Sequence, residues 1–219
     1  MALDTLALEC IKEELKTAVI GGKIEKVYQP EKDEIMIVIR TFSASFKLTL
    51  SASPTNPRIH FQTTSKENPK TPPMFCMLMR KHLTSGKIVD IKNVEGDRIL
   101  IFDIESYNEL GDLTTKHLIV EIMGRHSNII LTHSDMTIID SVKHIDFTMS
   151  SVRQILPGGK YEMAPAQDKI PILSEKISDL DLKKPEQNMA VDKFLLSKIG
   201  GISPLTSREI VYQMFGRSD

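Results

Sequence analysis

Apolar and polar positions alternate with a period of two along most of this chain, and in three places the period lengthens to that of a helix. The first is at the start, where Leu3, Leu6, Cys10, Ile11, Leu15, Ala18 and Val19 recur at helical spacing. Asp4 reads as the N-cap, its carboxylate able to accept from the free amides of the first turn, and Gly21-Gly22 follows as a permissive terminus. Strands are predicted over residues 23–29, closed by Pro30, and over 34–40, 44–50 and 58–63. In the third of these, Phe46, Leu48 and Leu50 share one face and Ser45, Lys47 and Thr49 the other. A loop with three prolines spans 65–73, where Thr71 is expected to cap and Pro72 and Pro73 to enter a second helix. That helix covers 74–85 and stops at Gly86. It turns Phe75, Leu78, Met79 and Leu83 inward and carries the densest basic cluster, Arg80-Lys81-His82.

The stretch from Glu95 to Leu131 organises the rest. After a strand at 87–93, its apolar runs at 99–104, 118–123 and 129–131 are rich in β-branched residues and separated by polar turn signals, which predicts an antiparallel meander. In the second run Leu118, Val120 and Ile122 share one face; His117, Ile119, Glu121 and Met123 share the other. A further strand is predicted at 137–142. Two helices among about nine strands argue for an α+β fold, an antiparallel β-sandwich with flanking helices. The strand pattern stops near Leu156-Pro157-Gly158-Gly159, and residues 161–169 read as a linker around Pro165. From Ile172 the period is helical again. There a helix, the turn Gly200-Gly201-Ile202-Ser203 and a second helix are similar to a helix-hairpin-helix, whose turn can hold a phosphate on backbone amides. Ser203 stands where that unit has its second glycine. The expected organisation is a domain over 1–165 and the start of a helical one over 172–219, with the chain a piece of a longer protein.

Charge narrows the function. The 219 residues carry 28 Lys+Arg against 29 Asp+Glu, and the first 160 carry 20 of each, so no overall basic footprint points to nucleic acid. Any RNA contact must come from a local patch. No run approaches the roughly 20 apolar residues that cross a bilayer. Asp4 and Glu9 interrupt any signal-peptide core, so no membrane partner and a cytoplasmic location are expected. Cys10 and Cys76 lie far apart in helical patterns and read as small buried hydrophobes. The six histidines are not spaced as metal ligands with cysteine. Phosphate-loop, dinucleotide, nucleophile-elbow and zinc-protease motifs are absent. No catalytic residue, metal or cofactor is therefore expected.

What remains is polar chemistry at the ends of the meander strands. Asp97-Arg98 opens the first strand; taken alone, such a pair is commonly an ion pair at a strand start. Glu121 closes the second and reads equally as a solvated carboxylate. Arg125 and His126 fall in the following turn. Arg80 and Lys81 read first as the solvent face of their helix, and as phosphate contacts second.

Several strings together carry a resemblance. Pro72-Pro73-Met74-Phe75-Cys76-Met77-Leu78 with Arg80-Lys81-His82, then Gly96-Asp97-Arg98-Ile99, and Glu121-Ile122-Met123-Gly124-Arg125-His126-Ser127-Asn128-Ile129 resemble the N-terminal domain of the NFACT family. Leu156-Pro157-Gly158 and Ile202-Ser203-Pro204 fit as well. The resemblance covers essentially the whole chain. It implies a fold like the N-terminal domain of formamidopyrimidine-type DNA glycosylases, followed by a helix-hairpin-helix domain. Those glycosylases act through a proline amine directly after the initiator Met and a following Glu; here Ala2 and Leu3 stand instead, so that chemistry has no nucleophile. The family's full-length members bind a large ribosomal subunit stalled with peptidyl-tRNA and recruit tRNA, in bacteria alanyl-tRNA, for template-free tailing of the nascent chain. The resemblance thus implies a non-enzymatic tRNA-binding role for Asp97, Arg98, Glu121, Ile122, Met123, Arg125 and His126. Arg80, Lys81, Gly200 and Gly201 would contact RNA phosphates. Fibronectin, the family's other named partner, stays as an alternative through a surface-adhesin role, and a residual DNA glycosylase relative as a lesser one.

Overall fold

A computed structural model describes residues 3–64, 66–108, 110–165, 168–179 and 189–216. The first helix, α1 (Thr5–Val19), begins where the sequence places it: Asp4 Oδ1 accepts from the Ala7 amide at 3.0 Å. Thr5, Leu8, Leu15 and Val19 form its buried stripe. Cys10 is exposed, correcting the expectation of a buried thiol. It follows Leu8 by two residues, about 200° round the helix, and so faces solvent. Cys76 is buried as expected.

Nine strands follow, with the second helix among them: β1 (Lys23–Glu31), β2 (Glu34–Arg40), β3 (Ser45–Ser51), β4 (Arg58–Phe61), α2 (Met74–Leu83), β5 (Lys87–Asn93), β6 (Ile99–Tyr107), β7 (Leu113–Glu121), β8 (Asn128–His133) and β9 (Ile138–Ser141). All pair antiparallel in the order β4-β3-β2-β1-β5-β6-β7-β8-β9. The fold is α+β, but the strands form one sheet where the pattern suggested the two sheets of a sandwich. The join is narrow. β1 meets β5 through the pair Lys23↔Lys87 alone, reinforced where the Gly21 amide donates to the Ile88 carbonyl and the Ile24 amide to Gly86. Both halves of the sheet nevertheless feed one core, in which Ile37 and Leu50 meet Phe102 and Val120 together with Met79 and Leu83 of α2. Each such side chain contributes about 1.5–3 kcal/mol on burial.

Three local features depart from the sequence reading. Pro30 lies inside β1, at an irregularity where the register moves from Tyr28↔Met36 to Glu31↔Glu34; a residue without an N–H is tolerated at such a bulge. α2 starts after Pro73 with no side-chain cap, so Thr71 does not cap it. Its C-terminal reversal is made by Ser85, at φ 69°, one residue before the glycine expected to do so. On the same helix Arg80 turns back onto the sheet. Its Nε donates to the Val27 carbonyl at 2.8 Å and its guanidinium stacks over the Tyr28 ring at 5.6 Å. Arg80 thereby braces α2 against β1.

The second half of the sheet is buried on both faces. Leu118, Val120 and Ile122 enter the main core. Ile99, Ile119 and Ile130 enter a second cluster with Ile138, Ile155 and Tyr161. Tyr161, placed in a linker by its surroundings in sequence, is 6% exposed and belongs to this cluster.

The helical part comprises β10 (Ile170–Pro171), α3 (Val191–Lys198), β11 (Ile199–Gly200) and α4 (Pro204–Phe215), with β10 and β11 parallel. Residues 180–188 and 217–219 of the expected helical domain lie outside the described residues. It has its own apolar cluster around Leu195, Ile199 and Val211. It is tied to α1 at two points: the Thr5 amide donates to the Gly201 carbonyl at 2.8 Å, and the Thr206 hydroxyl to the second Asp4 oxygen. Gly201 sits at φ 84°, and a Cβ there would lie 2.4 Å from Thr5 Oγ1. Gly201→Ala is therefore expected to loosen the helical part, read as faster proteolysis of residues 161–170, while the sheet core stays protected.

Acid should act at the same seam. Burial by itself would raise the Asp4 carboxyl, but hydrogen bonds from Thr206, Ala7 and Ser203 hold it below the usual aspartate value. A carboxyl depressed in the folded state adds stability above its unfolded value, about 3.9, and loses it as pH falls through the folded one. Amide exchange at the amino end of α4 should accelerate below about pH 4, and Asp4→Asn should flatten that dependence.

Candidate nucleic-acid interface

Two turns and a third segment meet at one end of the sheet. The β5–β6 turn is closed by the Asp97 amide donating to the Val94 carbonyl at 3.1 Å, with Gly96 at φ 74°. The β7–β8 connection is a single 3-10 turn, Gly124–His126, with Gly124 at φ 59°. They are neighbours because Ile99 pairs with Glu121, and the Ile122 amide donates to the Arg98 carbonyl at 2.8 Å. The segment around Gly200 and Gly201 closes the third side, encircling a cleft of about 590 Å³ that Asp97, Arg98, Met123 and Lys169 also line. A smaller hollow of about 190 Å³ lies on the other side of Arg98, against Pro54 and Pro57.

Asp97 and Arg98 do not pair with each other. Asp97 Oδ1 accepts from the Arg98 main-chain amide at 2.7 Å. The Arg98 guanidinium has no hydrogen bond or ion pair among the described residues. An unpaired guanidinium beside an open carboxylate can engage a phosphate or a base edge bidentately. Arg125 and His126 are exposed at the next turn, where Arg125 Nε donates to His126 Nε2 at 2.9 Å.

Glu121 and Ile122 correct the sequence reading. Alternation along β7 assigned Glu121 to the face opposite Val120, and that is where it lies; the face, however, is covered. Glu121 is wholly buried, with Oε1 and Oε2 accepting from Arg153 Nη1 and Nη2 at 2.8 and 2.7 Å. The Tyr161 hydroxyl donates to Oε1 at 2.8 Å. Burial and the adjacent carboxylate push the Tyr161 phenol far above its ordinary pKa, so it remains a donor. Ile122 is 1% exposed, in the main core. These two residues position the turn; their side chains do not face the cleft. Ser127 and Asn128 are buried too. Ser127 Oγ accepts from the Met123 amide at 2.8 Å, and Asn128 exchanges bonds with the Lys143 main chain at 2.8 and 3.0 Å. Arg153, Tyr161 and Lys143 went unnoticed in the sequence. The one available signal was a carboxylate in an apolar strand, which demands a cation somewhere.

Arg80 and Lys81 border other hollows, not this cleft. Gly200 and Gly201 do line it, although the Gly201 carbonyl and its missing Cβ serve contact with Thr5.

The family model for the NFACT N-terminal and middle domains matches residues 4–218. The chain belongs to the NFACT family. Among NFACT relatives, the Rqc2 homolog RqcH of Bacillus subtilis is 43% identical over 214 residues, covering 97% of this chain and 38% of that protein. The ribosome quality control complex subunit NEMF of Homo sapiens is 30% identical over 189 residues, 83% of this chain and 16% of its own length. The chain thus spans well under half the length of these relatives. Among solved structures, the N-terminal domain of fibronectin-binding protein PavA from Streptococcus pneumoniae superposes with a TM-score of 0.89 at 34% identity, over 97% of this chain and 80% of that one.

The geometry separates two kinds of NFACT residue by stability. Glu121→Ala strands a buried guanidinium and should cost about 3–5 kcal/mol in denaturant unfolding. Arg98→Ala, removing a side chain without a partner among the described residues, should stay within about 0.5 kcal/mol of wild type.

Proposed function

We propose that this chain is the tRNA-engaging part of a ribosome quality control factor, one that associates with a stalled large ribosomal subunit in the cytoplasm. In this reading it recruits tRNA, in bacteria alanyl-tRNA, for template-free tailing of the nascent chain. The observation that carries it is Arg98. In a member of the NFACT family, a guanidinium without a protein partner among the described residues stands beside the Asp97 carboxylate at the lip of a cleft. Unstacked RNA bases present edges and phosphates to such a fork. Met123, Arg125 and His126 extend the surface, and Glu121 with Ile122 holds it in place. The chain positions its ligand, and peptide-bond chemistry belongs to the ribosome. With a formal net charge of −1, attraction must come from local patches such as this one.

Recovered from cells by an affinity tag, the Asp97→Ala/Arg98→Ala double variant should keep its fold and its large subunits but lose tRNA at least tenfold, about 1.4 kcal/mol. A folded double variant that still brings down tRNA would sink the assignment. The proteins named for fibronectin binding among the structural relatives suggest a second arm. Capture on immobilised fibronectin, without any tRNA or ribosomal RNA in the recovered material, would replace the RNA reading with that one.

A further inference from the structure

The far end of the β6–β7 hairpin holds a second concavity, of about 630 Å³, with Lys116 at its floor. Lys116 lies on the core face of β7, in step with Leu118 and Val120, where that face runs out beneath the C-terminus of α2. It is 4% exposed. Its ammonium donates to Ser106 Oγ at 2.8 Å and Thr114 Oγ1 at 3.0 Å, both neutral, and no carboxylate among the described residues reaches it. Two hydroxyls satisfy two of its three protons and none of its charge. The His82 carbonyl at the helix end is already taken by the Ser106 hydroxyl at 3.0 Å. Burial accordingly depresses the Lys116 pKa. An ammonium in a buried position ordinarily has a counter-ion.

The rim supplies more donors and, among the described residues that line it, no acid. His82 and His133 meet edge to face at 6.2 Å, and Lys81 stands beside them. Glu109 lies outside the described residues. Tyr107, 73% exposed, offers an open aromatic face at the mouth. We infer that this concavity binds a phosphate group, with the Lys116 ammonium as its fixed cation and the exposed His133 imidazole of the rim as a further donor. A phosphate brings the charge that Lys116 lacks and enough acceptor oxygens to meet several donors at once. Tyr107 gives an attached base a surface to stack on. Lys116 pairs with Ile104, six residues along β6 from Arg98, which sets the fixed cation about 20 Å from Arg98 along the sheet. A phosphate could come from an RNA backbone spanning both ends or from a free nucleotide. Only the RNA source rests on the function proposed above.

Calorimetric titration of the 219-residue chain with inorganic phosphate, adenosine monophosphate and a ten-nucleotide uridine RNA, at matched ionic strength, tests this. Saturable binding of at least one probe is expected. Lys116→Met, similar in length and without charge, should weaken it tenfold or more; His133→Ala, an exposed rim change, should weaken it about threefold. Tighter RNA than monophosphate assigns the backbone source, and equal affinities assign the free nucleotide. No binding by any probe, or unchanged affinity in Lys116→Met, overturns the inference. If that variant does not fold, unchanged affinity in His133→Ala overturns it instead. RNA binding lost in Arg98→Ala but untouched in Lys116→Met would leave the tRNA reading standing and remove this one. Monophosphate binding lost in Lys116→Met, with tRNA recruitment indifferent to Asp97→Ala/Arg98→Ala, would do the reverse.

Discussion

A carboxylate with no access to water must find its whole complement of donors inside the protein, and at the end of β7 that requirement is met by two residues from much later in the chain. Arg153 reaches Glu121 with both terminal nitrogens and also donates to the Glu162 carbonyl at 2.9 Å; Tyr161 supplies the remaining bond. The covering segment is thereby pinned over the outer face of the sheet, where Ile155 and Tyr161 complete the second apolar cluster. Replacing such a pair with apolar residues can leave stability unchanged, whereas removing one partner is costly. What the pair specifies here is position. It sets the end of β7, hence the Met123 turn, hence the neighbouring turn that carries Arg98.

That turn shows the opposite economy of bonds. Arg98 is anchored through its backbone, where its amide meets Asp97 and its carbonyl meets Ile122, while its guanidinium has no partner among the described residues. Loops held by a rigid sheet are the usual place for recognition, and among the described residues this side chain has no protein bond to break on binding. The helical part completes the cleft through its seam with α1. Gly201 is required there by the approach of Thr5, so one residue serves docking and the shape of the site together.

In the readings proposed above, the two ends of the β6–β7 hairpin would meet a phosphate differently. At one, a half-buried fork without a partner among the described residues stands at the lip of an open cleft. At the other, an ammonium is enclosed and held by hydroxyls, which suits a small group entering a fixed position. The chain as a whole is close to neutral. Under the proposed RNA reading, attraction would then be local and its salt dependence would reflect few phosphate contacts.

By itself the sequence determined whatever depends on residues within a few positions of one another. The start of α1 at Asp4, the alternation that set Leu118 and Val120 against Ile119 and Glu121, and the location of Asp97-Arg98 in a turn are all local, because caps and periodicity act over one to four residues. It also showed the α+β class, and the Glu121–Asn128 string carried the family. Periodicity reports that two faces differ; it does not report whether the second face meets water. Only the tertiary structure decided that Glu121 is sealed by Arg153, that Tyr161 is core, that a single residue pair joins β1 to β5, and that Gly200 and Gly201 face Arg98 across a cleft. Each depends on residues tens of positions apart, and nothing in the local pattern of either partner encodes the other.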